Sequence, residues 1–97
     1  MYLINAEIEK IKLFFKTKPV LKAYLFGSYS RGDATLNSDI DLLLDLDYSQ
    51  PVGFEFIEMK QELELLLGKR IDLVSSRGIS KYLLPIIEKE KKEIYAR

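Results

Sequence analysis

Two aspartates one residue apart, Asp39 and Asp41, follow a Gly27-Ser28 pair across the ten residues Tyr29 to Ser38, and this stretch holds most of the chain's potential chemistry. On a strand, side chains alternate between faces, so Asp39 and Asp41 project to one side while Ile40 points into the core. Neighbouring carboxylates repel each other and are tolerable chiefly with a positive charge between them. A hard divalent cation with oxygen ligands, Mg²⁺ above all, meets that need and would link the pair to phosphates. Gly27 lets the backbone approach a bulky ligand, and Ser28 falls where a helix start leaves amide N–H groups facing an anion. Phosphate is the natural guest. Arg31 either contacts phosphate, pins the loop to an aspartate, or is a surface residue at a helix end; Ser38 orients the aspartates or caps a turn; Asp33 reads as a helix-end or loop residue. Together these residues point to metal-dependent phosphate transfer.

The surrounding pattern supplies elements to hold them. Ile4, Ile8, Ile11 and Phe15 recur at helical spacing, which predicts an amphipathic helix over residues 2–16. Thr17-Lys18-Pro19 ends it, and the apolar run Val20–Phe26 predicts a buried strand delivering Gly27. A short helix over 28–33, closed by Gly32 or by the polar loop, leads to a second strand over 39–47. Asp45 and Asp47 share the face of the first pair but lie roughly 13 Å or more further along at about 3.3 Å per residue, and read as a solvated strand end. After a turn-rich connection, Phe56, Met59, Leu63 and Leu66 mark a helix stopped by Gly68. Ile71–Ser75 is a short strand whose one acidic residue, Asp72, is costly inside an aliphatic central strand unless it has a task; the alternative is a carboxylate paired with Arg70 or Arg77 at a strand edge. Pro85 suits the start of a last helix, and Glu88–Glu93 reads as its solvated face, with Glu93–Ala96 as an alternative edge strand. The expected architecture is a single small α/β (α+β) domain over residues 1–97, with a mixed sheet of three to four strands and helices on one side.

Composition narrows the chemistry. Lys and Arg number 15 and Asp and Glu number 15, so zero net charge argues against a general nucleic-acid binder. With no cysteine and no histidine, thiol nucleophiles, zinc-thiolate sites, Ser-His-Asp hydrolysis and histidine ribonuclease chemistry are excluded, leaving carboxylates as the strong acid-base groups. No Gly-x4-Gly-Lys-Ser/Thr pattern is present, which removes the P-loop hydrolases. An N-terminus charged too early for a signal peptide and the lack of a long apolar run lead to the expectation of a cytoplasmic protein with no membrane partner.

Gly27-Ser28, the ten residues after it and Asp39-Ile40-Asp41 resemble the Gly-Ser-x10-Asp-x-Asp motif of the DNA polymerase beta-like nucleotidyltransferases. In length and order of elements the chain resembles the minimal nucleotidyltransferase (MNT) domains found as antitoxins of HEPN/MNT toxin-antitoxin pairs. That resemblance implies the nucleotidyltransferase fold, with Gly27, Ser28, Arg31 and Ser38 at the nucleotide and Asp39 and Asp41 on Mg²⁺. It also implies that Asp72 completes the metal site and helps deprotonate the attacking hydroxyl. ATP is the implied nucleotide, and the implied partner is a HEPN ribonuclease toxin adenylylated on a tyrosine. The alternatives are an antitoxin that neutralises by binding alone and a small-molecule nucleotidyltransferase.

Overall fold

The computed structural model describes residues Met1 to Arg97. Helix α1 (Asn5–Phe15) leads to strand β1 (Val20–Phe26), the one-turn helix α2 (Ser28–Arg31) and strand β2 (Ile40–Leu46). Helix α3 (Gly53–Leu67), strand β3 (Ile71–Ser75), helix α4 (Leu84–Glu90) and strand β4 (Lys92–Ala96) complete the chain. The four strands form one mixed sheet in the order β3-β2-β1-β4. β1 is antiparallel to β2 and to β4, whereas the α3 crossover brings β3 in parallel to β2. The fold expected from the pattern is therefore present, with β4 as the fourth strand.

Strand alternation sets the two faces. Ile40, Leu42 and Leu44 on β2 are fully buried against Ile11 and Phe15 of α1 and Met59 and Leu63 of α3, in the main core. Phe56 and Leu67 pack at the margin of this core, whereas Leu66 is exposed, so the α3 stripe runs through Leu67 rather than Leu66. α3 stops where Gly68 adopts φ +66° and its amide donates to the Glu64 carbonyl at 2.9 Å, a left-handed ending suited to glycine.

The opposite face carries a smaller cluster in which Ile87 of α4, fully buried, packs on Phe26 and Leu43. This corrects the expectation of helices on one side only: α1 and α3 cover one face and α4 the other. Leu43 lies between aspartates in sequence, and Ile87 finds its apolar seat on Leu43 and Phe26 there. The run Glu88–Glu93 is also not one solvated helical face, because α4 ends at Glu90 and the chain turns into β4 at Lys92.

The packing of Ile87 seats α4 on the sheet. Truncation by Ile87→Ala is expected to cost about 2–5 kcal/mol in urea unfolding, the range for emptying a well-packed aliphatic site. A loss below about 1 kcal/mol would contradict the seating of α4 on the sheet.

Candidate active site

Register aligns the site across three strands. Phe26 on β1 pairs with Asp41 on β2, which pairs with Asp72 on β3, so the residue after Phe26, Gly27, opens the loop beside the two carboxylates. Gly27 has φ +73°, and a Cβ built there would overlap the Asp41 carboxylate oxygen. Only glycine satisfies both the backbone and the space. α2 then winds tightly: the Gly27 carbonyl accepts from the amides of Ser30 and Arg31, both at 3.0 Å, and Gly32, at φ +90°, donates to the Ser28 carbonyl at 2.9 Å. Gly32 lies against the Tyr2 ring, so a side chain is excluded there as well. The Ser28 hydroxyl makes no hydrogen bond within the chain and is half-buried at the mouth of the loop. Tyr29 and Ser30 are buried, Tyr29 beneath the Lys69 ammonium at 5.1 Å from its ring centroid.

The carboxylates are unequal. Asp41 is pushed up to about 6, first by desolvation, then by the charges of Asp72 and Asp39 and by the Asp72 carboxylate as a hydrogen-bond acceptor, with Arg31 acting in the opposite sense. Asp72 is exposed and lies on the edge strand β3, so it is not the buried central-strand residue its aliphatic neighbours suggested. It forms no ion pair with Arg70 or Arg77. Arg70 instead pairs with Asp39, Nε to Oδ1 at 2.8 Å, and donates Nη2 to the Asn37 carbonyl at 2.6 Å. Beside Asp39 an open hollow of about 490 Å³ is lined by Ser38, Lys69 and Arg70.

No three acidic side chains converge closely enough to enclose a cation. Asp72 nevertheless lies close enough to Asp41 for its charge to oppose ionisation of Asp41, a repulsion that a cation would relieve. Asp39 is held off by Arg70 in a pair whose side chains are 46% and 71% exposed, an interaction worth only about 0–1 kcal/mol and readily exchanged. The donor set is all oxygen, as Mg²⁺ prefers. The residues fit, with Asp41 and Asp72 in place and Asp39 free to join.

The remaining expectations divide. The Ser38 hydroxyl accepts from the Thr35 amide at 2.8 Å, so it caps the loop turn. Arg31 pins the loop through Asp33, at 3.2 Å, and through Glu90, at 2.8 Å. Asp45 lies further along β2, opposite Lys22. Asp47 is not a free strand end: the Ser49 hydroxyl, Arg97 at 2.8 Å and the Ser49 amide hold its carboxyl well below the usual carboxylate range. Sequence reasoning missed Glu90, whose carboxylate accepts from the Gly27 amide at 2.9 Å. A run of alternating charge carries no signal of which member turns inward.

A glycine-serine loop facing paired carboxylates at the end of a small mixed sheet defines a nucleotidyl-transfer domain. The chain belongs to the nucleotidyltransferase domain family, whose sequence profile matches residues 8–95. It is 36% identical over 90 residues to MJ1379 of Methanocaldococcus jannaschii, a candidate protein adenylyltransferase, covering 90% of each chain. It is 45% identical over 64 residues to the protein adenylyltransferase MntA of Thermococcus cleftensis, covering 62% of this chain and 64% of that one. A chain in the crystal structure of a toxin-antitoxin with AMP-PNP superposes with a TM-score of 0.80 at 28% identity, over 97% of this chain and 75% of that one.

Raising the Asp41 pKa to about 6 from 3.8 has a defined pH signature. Below about pH 4 both folded and unfolded states hold the proton and nothing is lost; between about pH 4 and 6 the unfolded state releases it first, and above about pH 6 the folded state bears the full penalty. In cation-free protein Asp41→Asn should therefore gain about 1–2 kcal/mol at pH 8, a figure reduced for solvent screening, and close to nothing at pH 4. Urea unfolding at the two values checks this; equal effects at both, or a loss at pH 8, would contradict it.

Proposed function

We propose that the chain is a Mg²⁺-dependent protein adenylyltransferase that acts as an antitoxin, transferring AMP from ATP to a tyrosine hydroxyl of a HEPN-domain ribonuclease toxin. The observation that carries this reading is the row formed by the Gly27 loop, Asp41 and Asp72 across three strands. Support also comes from the adenylyltransferase names of the relatives and from the toxin-antitoxin crystallised with AMP-PNP. As one AMP is added, the acceptor oxygen bonds to the α-phosphorus, the bond from that phosphorus to the oxygen bridging to the β-phosphorus breaks, and pyrophosphate leaves with the bond's electron pair.

The chain's own residues divide the work. The free Ser28 hydroxyl and the amides opening α2 receive phosphate oxygens, and Gly27 permits that approach. Arg31 brings positive charge to the same side of the loop. Asp72, exposed on its edge strand, is open to an incoming hydroxyl and accepts its proton. Asp41 and Asp72, joined by Asp39 once Arg70 releases it, would hold Mg²⁺, which supplies charge neutralisation for the triphosphate and the leaving group. Ser38 supports the nucleotide indirectly, by fixing the turn that leads into Asp39. No helix is long and apolar enough to cross a membrane.

Incubating the chain with ATP, Mg²⁺ and a HEPN-domain protein of the same genome should add one or more AMP-sized increments to that protein by intact mass, mapped to tyrosine by peptide fragmentation. Asp39→Asn and Asp41→Asn should each lower the rate by at least about 100-fold while the fold persists. A stable complex with no mass gain would replace this reading with neutralisation by binding alone. A gain unaffected by either substitution would remove the aspartates from the chemistry.

A further inference from the structure

Glu90 is the last residue of α4, and its side chain is only 15% exposed. It reaches across to the loop with both carboxylate oxygens. The Gly27 amide donates to Oε2 at 2.9 Å, and Arg31 Nη1 donates to Oε1 at 2.8 Å. The main chain reinforces the link: the Ser30 hydroxyl donates to the Glu90 carbonyl, and Lys92 Nζ donates to the Ser30 carbonyl at 2.7 Å. Gly27, Ser30 and Arg31 are thus tied to the junction of α4 and β4.

The guanidinium is held on two of its three corners. Asp33 takes Nε and Glu90 takes Nη1, while Nη2 has no hydrogen-bond partner in the chain. A planar fork fixed by two carboxylates presents its third corner in one orientation, which is the arrangement that reads phosphate geometry. Glu90 does not block the mouth of α2, since the amide it takes is that of Gly27, before the helical turn. The Gly27 carbonyl meanwhile remains bonded to Ser30 and Arg31.

We propose that Glu90 is a positioning residue for nucleotide binding: it sets the Gly27 amide and locks the Arg31 guanidinium so that its free Nη2 corner receives a phosphate oxygen of the triphosphate. The inference rests on the nucleotidyl-transfer reading and assigns it a residue at the far end of the chain. Ordering Arg31 before the nucleotide arrives lowers the ordering cost of binding. The effect of Glu90 therefore appears in affinity for nucleotide more than in the chemical step.

The test measures binding of Mg²⁺ with α,β-methylene-ATP by calorimetry, beside the ATP dependence of transfer, for wild type, Glu90→Ala, Glu90→Gln, Arg31→Ala and the Glu90→Ala/Arg31→Ala pair. Glu90→Ala should weaken nucleotide affinity and raise KM for ATP by about tenfold, with kcat within about threefold of wild type. Glu90→Gln, which keeps an acceptor for the Gly27 amide and the fold but not the ion pair, should fall between. In the Arg31→Ala background, removing Glu90 should cost clearly less than it does in wild type, leaving only the part that acts through the Gly27 amide. Unchanged or tighter binding in Glu90→Gln and Glu90→Ala would overturn the proposal, as would full additivity with Arg31→Ala. If wild type itself neither binds the analogue nor transfers AMP, the underlying reading of the site falls and this inference with it.

Discussion

The Asp41 carboxylate lies against the bare Cα of Gly27 on one side and across the sheet from Asp72 on the other, and the rest of the site depends on that contact. It requires a glycine at the end of β1 with positive φ, because any side chain would occupy the space of the carboxylate oxygen. It requires β1 and β2 to hold a register that pairs Phe26 with Asp41. It also requires the parallel strand β3, delivered by α3, to place Asp72 in the same row. The sheet topology is in this sense the positioning device for one crowded carboxylate.

Crowding has an electrostatic consequence. Desolvation and two neighbouring negative charges oppose ionisation of Asp41, so the folded chain carries repulsion that a bound cation would relieve. Around this centre the arginines are held in reserve by acidic partners. Arg70 rests on Asp39, and Arg31 on Asp33 and Glu90. A chain with fifteen charges of each sign carries no net charge, and beside this centre its arginines are matched locally by carboxylates.

Much of this was legible in the residues. The apolar runs of β1, β2 and β3, the helical stripe through Met59 and Leu63, and the stop at Gly68 announce their elements because burial and backbone freedom leave strong local marks. Gly27-Ser28 and the place of Asp41 are visible for the same reason, since loop and helix start are local geometry, but β2 begins at Ile40, so Asp39 lies before the strand and turns to Arg70. What local pattern cannot carry is the order of strands. Asp72 read as a central-strand residue or as an arginine-paired one at an edge; β3 is an edge, but no arginine pairs with Asp72. Partner choice over long separations was equally hidden. Arg70 meets Asp39 rather than Asp72, Arg97 crosses fifty residues to Asp47, and Glu90 leaves an apparently solvated charge run to reach Gly27. Each of these depends on where the tertiary fold returns the chain, as does the seating of α4 on the face opposite α1 and α3.

The ionisation of Asp41 reports most directly on the site, and carboxyl-carbon NMR can follow it as a titration of that one residue. Without divalent cation its midpoint should lie near the elevated value of about 6, and with Mg²⁺ and α,β-methylene-ATP it should fall below about 4 as positive charge replaces repulsion. A midpoint at the ordinary 3.8 without cation, or one that Mg²⁺ and nucleotide leave unmoved, would contradict the claim that Gly27, Asp41 and Asp72 form a site built to take a cation and a triphosphate together.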